Sequence, residues 1–386
     1  MNENFNPRNI LNRFKGLFSI GLSDVVAGII TSLFWLYVAS IIDVDQYGEI
    51  FYIFAIGNIA ISLSLLGSEN ALMVYTPKNI KISSGLFLLV IIISLILSSL
   101  TLIIFSNTSL GIYVFGGVIF ALSSTELLAK KLYQNYFIYQ IIQKIMMVFF
   151  ALLLYTIFEI NGIVLGVALS FFVYLIIIVK EIKSVKINLS LVKNQWKFLL
   201  YSYGQKLSAT FSNQIDKLII GPFLGFTLLG NYQLGIQFIA IFQIFPLIML
   251  KYTLPHDASG TKNKNLKIVM FLLSIFFTLS IIVISPYVIP IFFNKFVLVV
   301  DIIQILSISL IPMTFNTILS SKFLADEKSK IIFIAMVLLI ISHAMGIFLL
   351  SESLGAIGVA ISYNIAMTIQ SFFYILIYFK ERIKTA

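Results

Sequence analysis

Runs of about 20 apolar residues, each long enough to cross a bilayer as a helix, alternate with short polar breaks along the whole chain. Twelve such runs fit, at about 17–42, 50–74, 82–105, 110–129, 137–158, 162–179, 200–224, 228–250, 268–290, 299–321, 331–350 and 355–379. The first follows a polar segment with Arg8, Arg13 and Lys15 and is about 26 residues long, beyond the core of a cleavable signal, so it is expected to be a retained helix.

Composition makes lipid the solvent. Of the 386 residues 60% are hydrophobic and 11% charged, too few charges to clothe a water-soluble domain of this size. The chain has no cysteine and two histidines, His256 and His343, which excludes disulfides, thiolate chemistry and a histidine-rich metal centre; no cofactor or metal is expected. The net charge of +10 fits either a nucleic-acid partner or the inward bias of a membrane protein. Position decides between them. Of the 26 lysines and arginines, 22 fall at the N-terminus, after even-numbered runs or at the C-terminus, which makes that face cytoplasmic, both termini included, and nucleic acid unnecessary. Lys295 lies in an outer break, and Lys144, Lys206 and Lys217 fall inside runs, where charge is expensive. The outer breaks, about three to nine residues long, have no room for an external catalytic domain, which counts against membrane glycosyltransferases, ligases and polymerases. There is no G-x-x-x-x-G-K-[ST] phosphate cradle either. A transporter, not an enzyme, is what these features predict.

The longest inner break divides the chain into residues 1–180, a linker at 181–199, and residues 200–386, each outer part with six runs. A shift of 182 places Gln46-Tyr47-Gly48 on Leu228-Leu229-Gly230, Gly166–Ser170 resembles Gly358–Ser362, and Lys180–Lys183 resembles Lys380–Lys384. Six spans per half give both halves one orientation, hence a parallel repeat, whose substrate binds between the halves. The alternative is that small residues recur wherever helices pack.

The polar residues inside the runs form stripes. Asp24, Gly28, Thr31 and Trp35 in run one, and Lys206, Thr210, Asn213 and Lys217 in run seven, are spaced 4, 3, 4 and stay within about 40° of a line on a helix. These two stripes are expected to line a central cavity, although Lys206 and Asp24 lie close enough to the inner end to snorkel. Asp216, about 100° round the helix from Lys217, is expected to find its partner elsewhere, either a coupling ion or a neighbouring helix. His343 suits a proton relay or a helix-to-helix hydrogen bond. Lys144, with Gln140 and Gln143 nearby, is expected to extend the basic lining or to snorkel inward, while Gln237, with Gln233, Gln243, Asn316 and Asn364, adds neutral groups able to bind sugars or to join helices.

Several motifs resemble one family. Tyr37–Gly48 with Leu66-Gly67, then Asp216-Lys217-Leu-Ile-Ile-Gly221 with Leu224-Gly225 and Gly230-Asn-Tyr232, and finally Gly355-Ala-Ile-Gly358-Val-Ala360, look like the first hairpin, the seventh helix and the last helix of the polysaccharide transporter family, in the multidrug/oligosaccharidyl-lipid/polysaccharide (MOP) flippase superfamily. The resemblance implies an all-α, MATE-like membrane fold. It also implies a Wzx-type flippase in the plasma membrane, moving polyprenyl-diphosphate-linked oligosaccharide to the outer leaflet by alternating access, alongside polymerase and glycosyltransferases of the same surface-polysaccharide pathway. On that reading Lys206, Lys217 and Lys144 attract the diphosphate, Asn213, Thr210 and Gln237 bind sugar hydroxyls, and Asp24 or Asp216 takes a coupling ion. A cation-coupled multidrug exporter of the same superfamily is the alternative that Asp24 supports and the lysines oppose. A major-facilitator transporter is disfavoured because Thr76–Lys81 lacks that family's basic motif.

Overall fold

The computed structural model describes residues 7–78, 80, 82–184, 189–258, 264–326 and 328–385. Lys81, Lys186 and Lys262 of the inner-face count lie outside them, and the side chains of His256, Lys251 and the N-terminal arginines are likewise outside the described set. All regular structure among the described residues is helical: α1 (Pro7–Ile41), α2 (Val44–Leu65), α3 (Ser68–Tyr75), α4 (Ser83–Phe105), α5 (Thr108–Ala129), α6 (Tyr133–Ser170), α7 (Leu175–Ser184), α8 (Leu189–Asn194), α9 (Trp196–Leu224), α10 (Phe226–Ala258), α11 (Lys264–Phe292), α12 (Val299–Ile308), α13 (Leu310–Ala325) and α14 (Ser329–Thr385), with short 3₁₀ turns at Thr76–Lys78 and Phe171–Tyr174. Helices are what a chain must form where no water can satisfy its backbone. Among the described residues, eight helical stretches are long and apolar enough to cross a membrane. The protein is a multi-pass membrane protein, and its outward side chains, such as Ile103, Ile104, Val283 and Leu349, suit contact with acyl chains.

Two of the eight stretches, Tyr133–Glu181 and Lys330–Glu381, have 49 and 52 residues, more than twice what one span needs. Each contains a single residue with non-helical backbone, Glu159 at φ 51°, ψ −130° and Gly355 at φ 55°, ψ −132°. The chain doubles back at both. A Cβ on Gly166 would overlap Ala151 and one on Gly162 would overlap the Leu154 carbonyl, although in a straight helix residues 151 and 166 would be about 22 Å apart. Correspondingly, a Cβ on Gly358 would overlap the Leu350 carbonyl, and one on Gly346 would press on Ser362. Glycine lets the two backbones of each hairpin meet without a side chain between them.

The turn and the close approaches of the two hairpins recur at a spacing of 196: Glu159 with Gly355, Gly162 with Gly358, Leu154 with Leu350 and Gly166 with Ser362. The expected pairing of Gly166 with Gly358 is therefore one helical turn out of register. Small residues at four-residue spacing on both arms make two alignments look alike in sequence, and only the turn decides between them.

The chain divides into two compact units, one of Met1–Thr31 with Ile56–Thr210, the other of Ser32–Ala55 with Phe211–Ala386. The division falls within α1, α2 and α9, not at the inner break of residues 181–199. In the first unit a core of Leu72, Phe87, Val90, Leu122 and Tyr174 joins α3, α4, α5 and the 3₁₀ turn that follows α6. The polar side of α5 is tied down at its C-terminal end. Lys130 bonds Glu181 and lies 3.1 Å from Glu126, which is 1% exposed. Burial works against the Lys130 ammonium, but the Glu181 and Glu126 carboxylates outweigh it and raise its pKa above the ordinary lysine value. The second unit has a matching clamp in which Lys328 reaches Glu381 at 2.8 Å and Asp326 at 3.7 Å. Its pKa is raised chiefly by the hydrogen bond to Glu381. Elsewhere in that unit Phe323 packs against Tyr374 with the rings tilted, and Asn316 bonds Gln370 at 2.9 Å and accepts from Ser371 at 2.7 Å, so this amide serves helix packing.

Candidate functional site

Polar groups collect in two places, one in each unit, and each cluster is described within its own unit. In the first, α6 carries Tyr136, Gln140 and Lys144 at four-residue spacing, so they share one helix face. The Tyr136 hydroxyl donates to Asp24 Oδ1 of α1 at 3.2 Å. Gln140 is buried one turn further on, and Lys144, half-buried, comes one turn after that. No acid or hydrogen-bond acceptor meets the Lys144 ammonium among the described residues. Neighbouring Gln143 donates to Ser170 Oγ at 2.8 Å, while its carbonyl oxygen is buried without a partner. Lys206 and Thr210 of α9 belong to the same unit but are already engaged. Lys206 is exposed and pairs with Glu69 at 3.0 Å, and Thr210 donates to Ser62 at 3.1 Å.

In the second unit Asp216 and Lys217 are both buried and do pair, Nζ to Oδ1, at 3.1 Å. This corrects the expectation that neighbours on a helix point too far apart to meet. Asp216 folds back so that Oδ1 accepts the Lys217 backbone N–H at 2.8 Å. The flexible lysine stem curls the other way, toward its own preceding turn, and Nζ also donates to the Asn213 carbonyl at 2.9 Å. The direction of Cβ vectors, on which the expectation rested, does not bound the reach of a four-carbon side chain. The partner of Asp216 in this structure is thus the ammonium of its own helical neighbour.

Tyr232, His343 and Tyr363 lie within electrostatic reach of Asp216. His343 Nδ1 is 3.0 Å from Ser362 Oγ, its ring packs edge-on against Tyr363 at 5.4 Å, and its Nε2 is buried with no partner among the described residues. Thus His343 does hold two helical arms together, Ser329–Leu354 and Ala356–Thr385. Of the other expected residues, Asn213 is exposed, contributing its backbone carbonyl to Lys217, and Gln237 is half-buried on α10. Among the described residues no group of acids and histidines is arranged to hold a metal ion. Sequence reasoning passed over Tyr136 and Tyr363. Tyr136 was there to be found, since it continues the Gln140 and Lys144 spacing by one turn; Tyr363 carries no such signal.

No known family's profile matches the chain, and no curated protein matches it in sequence. Solved structures do match in fold. The lipid II flippase MurJ in an inward closed conformation aligns with a TM-score of 0.69 at 16% identity, over 95% of this chain and 87% of that one. A multidrug resistance MATE family transporter of the MOP superfamily, in its inward-facing conformation, aligns at 0.66 and 15% identity over 97% and 98%. A MATE transporter in complex with MaL6 aligns at 0.62 and 16% over 96% of each. At these identities the likeness is one of fold, which is that shared by MurJ and the MATE transporters.

Proposed function

We propose that the protein is a member of the MOP superfamily, a plasma-membrane flippase that carries a diphosphate-bearing, polyprenyl-linked oligosaccharide from the cytoplasmic to the outer leaflet by alternating access. The observation that carries this reading is Lys144. It is a half-buried ammonium with no counterion among the described residues, which is costly in a membrane protein and suits an anionic ligand that supplies the missing charge only when bound. Tyr136 and Gln140 on the same face offer hydrogen-bonding groups for sugar hydroxyls or phosphate oxygens. Of the other two intramembrane lysines, Lys206 is engaged by Glu69 and Lys217 by Asp216, so on this reading they hold the frame while Lys144 attracts the substrate.

The finer architecture belongs to the same proposal: twelve spans, as two six-helix lobes of residues 1–180 and 200–386 in parallel repeat, with both termini cytoplasmic. The eight apolar stretches give ten spans once the two that double back are counted twice, and α9 and α10, at 29 and 33 residues, supply two more. The recurring hairpins and the paired Lys130–Glu181 and Lys328–Glu381 clamps support the repeat. Polymerase and glycosyltransferases of a surface-polysaccharide pathway are its proposed partners. The second reading, a cation-coupled multidrug exporter, draws on the MATE neighbours and on Asp24.

Liposomes containing the protein decide between the two. Lipid-linked diphosphate oligosaccharide is expected to cross, and Lys144→Gln to slow its movement about ten- to hundredfold, the worth of one charge-assisted hydrogen bond. Movement of organic cations alone would overturn the flippase reading.

A further inference from the structure

The inner break at residues 180–199 carries five lysines, more than any other break. In the first unit, to which the described part of this break belongs, several lysines hold the protein together: Lys130 serves Glu126 and Glu181, Lys206 serves Glu69, and Lys78 lies 5.9 Å from the centre of the Tyr75 ring. Lys180, Lys193 and Lys197 do not. They are exposed and have neither an ion pair nor a hydrogen bond among the described residues. Lys193 and Lys197 flank Trp196, in a stretch whose two sides differ. One side is packed. Val192 sits in the same buried cluster as Ile177 and Ile178 of α7, and Tyr75 of α3 donates its hydroxyl to Gln195 Oε1 at 2.7 Å. Phe198 meets the Tyr75 ring edge-on at 5.4 Å, and a Cβ on Gly67 would overlap the Leu199 carbonyl oxygen. The other side is bare. Trp196, Lys197, Leu200 and Tyr201 share an arc of about 140° on α9. Trp196 is 55%, Leu200 57% and Tyr201 82% exposed.

The chemistry of this bare side selects its occupant. Ammonium groups with no internal anion call for negative charge from outside the chain. Tryptophan and tyrosine, apolar rings with one polar edge, are the side chains that settle where headgroups meet acyl chains. Leu200 opens the apolar run of α9, and on α7 Leu175, Ile176 and Val179 are exposed in the turns before Lys180. Both helix ends therefore pass from apolar surface to lysine over a few residues, the gradient of a membrane boundary. A free phosphate would engage the lysines and leave Trp196, Leu200 and Tyr201 uncovered. An anionic phospholipid covers both kinds of group at once.

We propose that Lys193, Trp196, Lys197 and Tyr201 form a docking surface for the headgroup of an anionic phospholipid, with Leu200 against its acyl chains. On the inside-positive orientation the lipid belongs to the inner leaflet. The surface does not depend on what the protein carries, and it can be read with no substrate present. The chain has two tryptophans, and Trp35 is buried, so the emission lost in Trp196→Phe is that of the exposed ring at the site. That substitution replaces a solvent-exposed side chain and leaves the packed side of α9 intact. In phosphatidylcholine nanodiscs containing a minor share of brominated phospholipid, brominated phosphatidylglycerol is expected to quench the Trp196 emission at about a fivefold lower share than brominated phosphatidylcholine, the worth of one lysine at an anionic surface. Raising the salt concentration should narrow the difference. Lys193→Gln with Lys197→Gln should abolish it, while quenching by brominated phosphatidylcholine persists. Equal quenching of the parent protein by the two lipids would reduce Trp196 to a ring in contact with unselected bilayer, and no quenching by either would place this side of α9 against water. A preference that survives the double substitution would assign the lipid to other charges. Each of these three results overturns the docking surface.

Discussion

The two units carry buried positive charge in opposite ways. In one, Lys144 stands beside Tyr136 and Gln140 with no counterion among the described residues; in the other, Lys217 is closed into a pair with Asp216 and the Asn213 carbonyl. Removing charge from the two sites should therefore have effects of opposite sign. Lys217→Met leaves the Asp216 carboxylate buried and unpaired, which is expected to cost about 3–5 kcal/mol of stability, and adding Asp216→Asn should restore most of it. Lys144→Met removes an ammonium that has no partner among the described residues to abandon, so the folded protein is expected to be as stable as the parent or more so, while substrate transport falls. Reversible unfolding in mixed detergent micelles measures both. A loss in Lys144→Met as large as that in Lys217→Met would mean that Lys144 is a structural lysine and would remove the distinction between the units.

The clamps sharpen the same contrast at their own ends of the two units. Lys130 serves two carboxylates, one of them almost wholly buried, whereas Lys328 and its partners Glu381 and Asp326 are each about a third or more exposed. Lys130→Ala is expected to cost about 2–3 kcal/mol, because Glu126 and Glu181 then crowd each other without a cation. Lys328→Ala should cost no more than about 1 kcal/mol, as at other solvated pairs. Equal losses would show that the two clamps do equal duty despite their different burial.

Much of this frame was legible before the structure. Apolar runs of span length located the helices, because lipid forces backbone hydrogen bonds inside each segment. The break between runs five and six fell close to the Glu159 turn, and that between runs eleven and twelve close to Gly355. The Lys-Glu pattern at residues 180–183 and 380–384 supplies the glutamate of a clamp in each case, Glu181 and Glu381. What sequence could not settle was pairing. Three lysines inside apolar runs look alike in sequence, yet Glu69 takes one, Asp216 takes another, and Lys144 is left, a sorting made by side-chain rotamers and helix neighbours. The hairpin register failed for a related reason: glycine and serine at four-residue intervals allow two alignments that differ by one turn, and backbone dihedrals select between them.

Those dihedrals provide the last and smallest contrast. Glu159 and Gly355 adopt nearly the same conformation, with φ of 51° and 55°, in a region that residues with a Cβ rarely enter. One hairpin thus holds a strained turn where its counterpart is relaxed. Glu159→Gly should relieve about 1–2 kcal/mol of strain but also gives the unfolded chain more freedom, leaving a net gain of about 1 kcal/mol. Gly355→Ala imposes the strain without relief and should cost about 1–2 kcal/mol. Measured in one unfolding series, opposite signs would confirm that the two turns are equivalent in geometry and unequal in residue. A loss from Glu159→Gly would mean instead that the glutamate side chain itself holds the turn, and the strain in that hairpin would then be maintained by a contact of its own.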